Sequence, residues 1–191
     1  MSTILQVLKA GGTAILLLAS ISFAAIAQEE TSAPPTLDEL LQKLADPETT
    51  NWKQIERQIR TEWSRSGSAS IDLLYQRAQK ALDDEDLDAA LEHFTALTDH
   101  APEFAEGWNG RATALFQKDM YGPAMEDLRK ALALNPEHFG AMTGLAVILQ
   151  NTGFMKEALQ VWYAVEAAHP HRQEMIDAIK ALEARVGGTA L

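Results

Sequence analysis

Apolar residues return along this chain at the three- and four-residue spacing of amphipathic helices, and between residues 71 and 172 the helical stripes come in pairs. Leu74, Ala78 and Ala81 form one stripe, and Ala90, Phe94 and Leu97 the next. Thirty-four residues on, Trp108, Ala112 and Leu115 pair with Ala124, Leu128 and Ala131; after the same interval, Met142, Ala146 and Leu149 pair with Ala158, Trp162 and Val165. Pro102, Pro136 and Pro170 close the three periods, each where a helix has to end because proline offers no backbone donor. The periods are residues 71–104, 105–138 and 139–172. A hairpin of two short helices cannot bury its apolar face alone, so three in register predict an all-α solenoid of stacked hairpins.

The flanks depart from the repeat. Thr36-Leu37-Asp38-Glu39 has the form of a capping box, followed by Leu37, Leu40, Leu41 and Leu44 on one helical face and a stop at Asp46-Pro47. A second stripe, Trp52, Ile55, Ile59 and Trp63, runs from Asn51 toward Ser66-Gly67-Ser68. Residues 36–68 are therefore expected to be an N-terminal helical pair that covers the apolar end of the first repeat, with its two tryptophans used for packing. After the last repeat, Met175, Ile176, Ile179, Leu182 and Val186 predict a capping helix over 173–186, ended by Gly187-Gly188 and followed by a flexible tail, 187–191.

The first 27 residues are of another kind. Lys9 is their one charge, Thr13 to Ala24 is an apolar run shorter than the roughly 20 residues of a membrane span, and Ala25-Ile26-Ala27 supplies small residues for cleavage. This is the pattern of a secretory signal peptide cleaved after Ala27, with a disordered lead-in over 28–35. An uncleaved inner-membrane anchor is the alternative; cleavage leaves no stable membrane insertion. With no cysteine, the chain has no disulfide, thiol nucleophile or lipid-bearing cysteine, and with no Asn-x-Ser/Thr site a bacterial periplasm is the expected compartment.

Charge narrows the partners. The net charge is −11, and losing Lys9 with the leader makes it more negative, which argues against nucleic acid, whose binding requires clustered cations. The five histidines give no helical His-x-x-x-His pair, and His169-Pro170-His171 is expected to be a surface turn, so no metal or other cofactor is assigned. The acids gather in solvated turns such as Asp83-Asp84-Glu85-Asp86, away from any apolar pocket that would raise a carboxyl pKa. No phosphate loop or nucleophile elbow is present, and no catalytic residue is assigned.

With their large, small and apolar residues at matching places and a closing proline, the three units resemble the tetratricopeptide repeat family. The third has that family's turn glycine at Gly153; the first has Glu85 in its place. The resemblance implies a right-handed superhelix whose concave groove is lined by the first helix of each hairpin. It places in the groove Asp72, Tyr75, Gln79, Leu82 and Asp83; Glu106, Asn109, Thr113, Phe116 and Gln117; and Gly140, Thr143, Val147, Gln150 and Asn151. It also implies an ion pair between Arg111 and Asp127 inside the second hairpin. Three acids and no Lys or Arg in this set imply a neutral or basic peptide of another envelope protein as ligand. The groove could instead be filled by the chain's own N-terminal helices or by a second copy in a homodimer. The whole resembles small exported tetratricopeptide proteins of Gram-negative bacteria, which implies a periplasmic interaction scaffold. An assembly chaperone for cytochromes or outer-membrane proteins is the alternative, and a cell-wall hydrolase a distant third. The terminus Thr189-Ala190-Leu191 resembles ligands of PDZ modules, with a simple mobile tail as the alternative.

Overall fold

The computed structural model describes residues 34–188, which hold nine α-helices and no strand. The expected leader (1–27), most of the lead-in and residues 189–191 lie outside the described residues. In chain order the helices are α1 (Leu37–Ala45), α2 (Trp52–Trp63), α3 (Ala69–Asp83), α4 (Leu87–His100), α5 (Ala105–Gln117), α6 (Tyr121–Leu134), α7 (Phe139–Asn151), α8 (Met155–Ala168) and α9 (Gln173–Gly188). The pairs α3/α4, α5/α6 and α7/α8 are the three repeated hairpins.

Each apolar cluster is shared between neighbours, which is what makes the array continuous. Ala78, Ala90, Phe94 and Leu97 of the first hairpin close over Ala114 of the second. Ala112, Leu128 and Ala131 close over Ala141 and Ile148 of the third. The third hairpin, through Ala146, Ala158 and Trp162, is in turn covered by Met175, Ile179 and Leu182 of α9. Small residues at the crossing points let the helix backbones approach, and the large ones fill the gaps this leaves. The capping helix does not stop before its glycines but continues through Gly188.

Arg111 and Asp127 are joined inside the second hairpin by two parallel bonds, Nε to Oδ2 at 2.7 Å and Nη2 to Oδ1 at 2.8 Å. The remaining nitrogen, Nη1, donates to Thr98 Oγ1 of the first hairpin at 3.0 Å, so the guanidinium also ties one repeat to the next. Its bond to Asp127 pushes the guanidinium pKa further up, against the effect of burial.

The turn between the two helices of each repeat needs one residue with positive φ. Gly153 supplies it in the third (φ 89°), whereas Glu85 (φ 60°) and Asp119 (φ 58°) adopt it in the first two. A side chain in this region costs about 1 kcal/mol, less for Asp, whose short side chain tolerates it. Glu85→Gly is therefore expected to raise stability by about 0.5–1 kcal/mol. Asp119→Gly is expected to gain less, because the Asp119 carboxylate also accepts a bond from the Tyr121 hydroxyl at 2.7 Å. Urea unfolding of the two variants checks both the sign and the order.

The N-terminal pair does not cover the first repeat. The capping box forms as expected, with Glu39 N donating to Thr36 Oγ1 and Thr36 N donating to Glu39 Oε2. The pair then folds back as a strap on the third hairpin, where Leu40, Leu41, Leu44, Ile55 and Ile59 share a cluster with Phe139. The reason is aromatic and ionic complementarity. Trp63 stacks on His138 with ring centroids 4.7 Å apart, and Trp52 on His171 at 5.6 Å. Between them the buried Glu56 accepts hydrogen bonds from Arg60 Nε (2.8 Å), His169 Nε2 (3.1 Å) and Arg172 Nη2. His169 is accordingly 0% exposed, and the His169-Pro170-His171 segment is an interface rather than the expected surface turn.

Candidate functional site: the groove between the second and third repeats

The first helices of the second and third hairpins, α5 and α7, stand side by side and leave a cavity of about 240 Å³ between them. Six of the expected groove residues line it: Asn109, Thr113 and Phe116 from α5, and Gly140, Thr143 and Val147 from α7. They converge because the residue separations within each helix keep them on one face, and the repeat places the two faces opposite each other. No residue of α1 or α2 lines this cavity, so here the strap does not fill the groove.

The chemistry of the wall is apolar, although its sequence is not obviously so. Thr113 Oγ1 donates to Asn109 O at 3.0 Å and Thr143 Oγ1 to Phe139 O at 2.8 Å, so both hydroxyl hydrogens are spent within their own helices. Ala112, Leu128, Gly144 and Ile148 complete the lining. Sequence reasoning missed these four as groove residues: repeat position assigned Ala112 and Leu128 to packing, and Gly144 and Ile148 were given no role. Gly144 allows α7 to lie close to Leu128: a Cβ added there would stand 3.3 Å from both Leu128 methyl groups.

The other expected groove residues are divided between internal bonds and open surface. Glu106 is buried and accepts from His138 Nε2 at 3.1 Å and from the Tyr75 hydroxyl at 3.4 Å. His138 Nδ1 accepts from Ala141 N at 3.1 Å, capping α7, which puts the ring proton on Nε2. Gln79 Nε2 donates to the Tyr75 hydroxyl at 2.7 Å, and burial together with the Glu106 charge pushes the phenol pKa well up. Asp72 accepts from Ser66 N and Oγ at 2.8 and 2.6 Å, which fixes the connection from strap to array and holds its carboxyl below the usual range. Leu82 packs on the first core, and Gln150 Oε1 accepts from Trp162 Nε1 at 3.4 Å. Asp83, Gln117 and Asn151 are exposed at the far ends of α3, α5 and α7. Two of the three acids read as ligand-facing, Asp72 and Glu106, are thus engaged inside the protein.

Comparison with known proteins agrees with this architecture. The tetratricopeptide repeat family matches residues 105–138. A TPR repeat-containing protein of Rhizobium etli is 34% identical over 168 residues, covering 85% of this chain and 81% of that protein. The chain belongs to the tetratricopeptide repeat family. Among solved structures, the first TPR domain of Spaghetti (RPAP3), bound to the HSP90 peptide SRMEEVD, is similar with a TM-score of 0.59 at 20% identity, over 61% of this chain and 93% of that one. The crystal structure of MamA is similar with a TM-score of 0.59 at 16% identity, over 72% of this chain and 85% of that one.

Proposed function

We propose that this protein is a protein–protein interaction scaffold of the bacterial periplasm, exported by its first 27 residues, that holds a neutral or basic peptide segment of another envelope protein in its groove. The observation that carries the reading is the convergence of six groove positions from two successive repeats on one apolar cavity outside the strap. Spaghetti holds a peptide with three acids among its seven residues. Here no Lys or Arg lines the cavity, so an acidic tail would find no counter-charge there.

Crosslinking and recovery of partners from the cell envelope test this, with the triple variant Asn109→Ala, Phe116→Ala, Val147→Ala as control. One or two partners recovered by the native protein and lost by the variant support the scaffold. Broad recovery of unfolded clients, with suppression of their aggregation, favours an assembly chaperone instead. Accumulation of the chain in the cytoplasm would overturn the periplasmic assignment.

A further inference from the structure

We propose that the α5–α7 cavity is an anchor pocket for one phenylalanine side chain of its peptide ligand, and that the ligand carries lysine or arginine where it runs from this pocket toward the α3–α4 turn. The inference rests on the scaffold reading and specifies the chemistry of its ligand.

Size sets the anchor. A dry cavity of about 150 Å³ lined by aliphatic and aromatic side chains is enough to take a benzene molecule. At about 240 Å³ this one holds a phenyl ring together with the carbon that joins it to a backbone. Its walls suit a ring: Phe116 offers an aromatic surface, Leu128, Val147 and Ile148 offer aliphatic ones, and none of the lining residues is ionisable. The two threonines offer a ligand no hydrogen-bond donor, because their hydroxyl hydrogens are already bonded. The Asn109 carboxamide is different. It makes no hydrogen bond to another described residue and stands half-buried in the lining, with a donor and an acceptor for a passing peptide backbone.

Charge sets the flank. Two residues beyond Phe116, Lys118 Nζ bonds Asp88 Oδ1 at 2.6 Å, which brings the end of α5 against the start of α4. The adjoining turn exposes Asp83, Asp84, Glu85 and Asp86. The two lysines nearby are already committed, Lys118 to Asp88 and Lys80 to Asp84 at 2.7 Å. A ligand leaving the pocket on this side therefore meets an excess of negative charge, which favours cations and repels carboxylates. At the opposite end of α7, Arg60 of the strap lies over the Phe139 ring at 5.2 Å and is itself paired with Glu56 at 2.8 Å.

The test uses the chain from residue 28 onward and three fluorescent peptides, acetylated and amidated so that no terminal charge contributes. One has a central phenylalanine flanked by lysines, one the same phenylalanine flanked by glutamates, and one alanine in place of phenylalanine among lysines. Anisotropy should show the first binding at least about ten-fold tighter than either of the others. Val147→Trp, which fills the cavity, should remove this preference for phenylalanine; Asp83→Asn with Glu85→Gln should reduce only the preference for lysine. Shifts of the Thr113 and Thr143 methyl resonances on adding the first peptide locate the ring without any variant. Equal affinity for all three peptides, or binding that leaves those methyls unmoved, overturns the proposal. If envelope partners are recovered but their binding ignores Val147→Trp in a folded protein, the anchor pocket fails while the scaffold stands. If the native protein recovers no partner and binds no peptide, the scaffold reading fails with it.

Discussion

Truncating Phe94 to alanine is expected to cost the array about 3–5 kcal/mol, a large share of what a domain of this size has to lose. The Phe94 ring is 0% exposed and sits at the junction of two repeats, in the first core and directly over the backbone of Gly110 in the second hairpin. A methyl group at Gly110 would lie 2.1 Å from Phe94 Cε1, a separation that non-bonded atoms do not tolerate. Gly110→Ala should therefore destabilise by about 1–3 kcal/mol, even though alanine is favoured over glycine in a helix by about 1 kcal/mol. The pair should be strongly coupled. With Phe94 already alanine, the methyl at position 110 meets no ring and fills part of the cavity, so the double variant should be more stable than the sum of the single losses allows, by about 1–3 kcal/mol. Urea unfolding of the four proteins measures this coupling. Simple additivity would mean that the ring and the glycine do not constrain one another, and that the repeats are not locked at this junction.

That junction illustrates what the chain discloses and what it withholds. The place of Phe94 as a large core residue was legible from period alone, because helical spacing and the 34-residue repeat make it equivalent to Leu128 and Trp162. The same ruler located Asn109, Thr113, Phe116, Gly140, Thr143 and Val147 on one face, since face and repeat are properties of local geometry. It could not say that Glu106 would be bonded to His138 and Tyr75, or that Asp72 would be turned to Ser66: a carboxylate's partner depends on which elements meet, and a position number carries no such information. The strap was misplaced for a related reason. Trp52, Ile55, Ile59 and Trp63 announce an apolar stripe in search of a surface, and the nearest surface in sequence is the first repeat. The surface actually used combines Phe139 with three histidines that lie 75 or more residues beyond Trp63. The one available hint was that histidines crowd into the inter-repeat turns, at 138, 169 and 171, where stacking on a tryptophan is possible. Tetratricopeptide regularity describes the array well and its irregular attachments poorly.

Acid should loosen the strap while leaving the stacked hairpins folded. Burial by itself would raise the Glu56 carboxyl, but hydrogen bonds from His169 and Arg60, with the charges of Arg60 and Arg172, outweigh it and hold the group at about 2 instead of 4.5. Burial also lowers the His169 imidazole below 6.5, against the upward pull of Glu56 and with small downward contributions from Arg172 and His171. Its Nδ1 is buried with no hydrogen-bond partner among the described residues, so a second ring proton would have no acceptor there. Both groups bind fewer protons in the folded state than in the unfolded chain, and stability conferred through them rises with pH. The His169 contribution is complete above 6.5 and declines as pH falls below that value; the Glu56 contribution is complete above 4.5 and is lost as pH falls toward about 2. Arg60 and Arg172 are 47% and 34% exposed, so water screens part of the Glu56 network. Its loss should then cost about 2–3 kcal/mol rather than the 3–5 of a fully enclosed ion pair. The buried residues of the three solenoid cores are apolar and do not titrate, and the repeats are tied further by Arg111 with Asp127 and Thr98 and by His138 with Glu106. In a pH titration followed by the four tryptophan indole resonances, Trp52 and Trp63 should therefore shift and broaden first, with Trp108 and Trp162 unchanged. Glu56→Gln should bring the same strap signals to their loosened state near neutral pH and flatten their response between 4.5 and 2. Were all four indoles to move together, or the variant to titrate as the native chain does, the strap would be part of one cooperative unit held by its apolar contacts, with Glu56 contributing little to its closure.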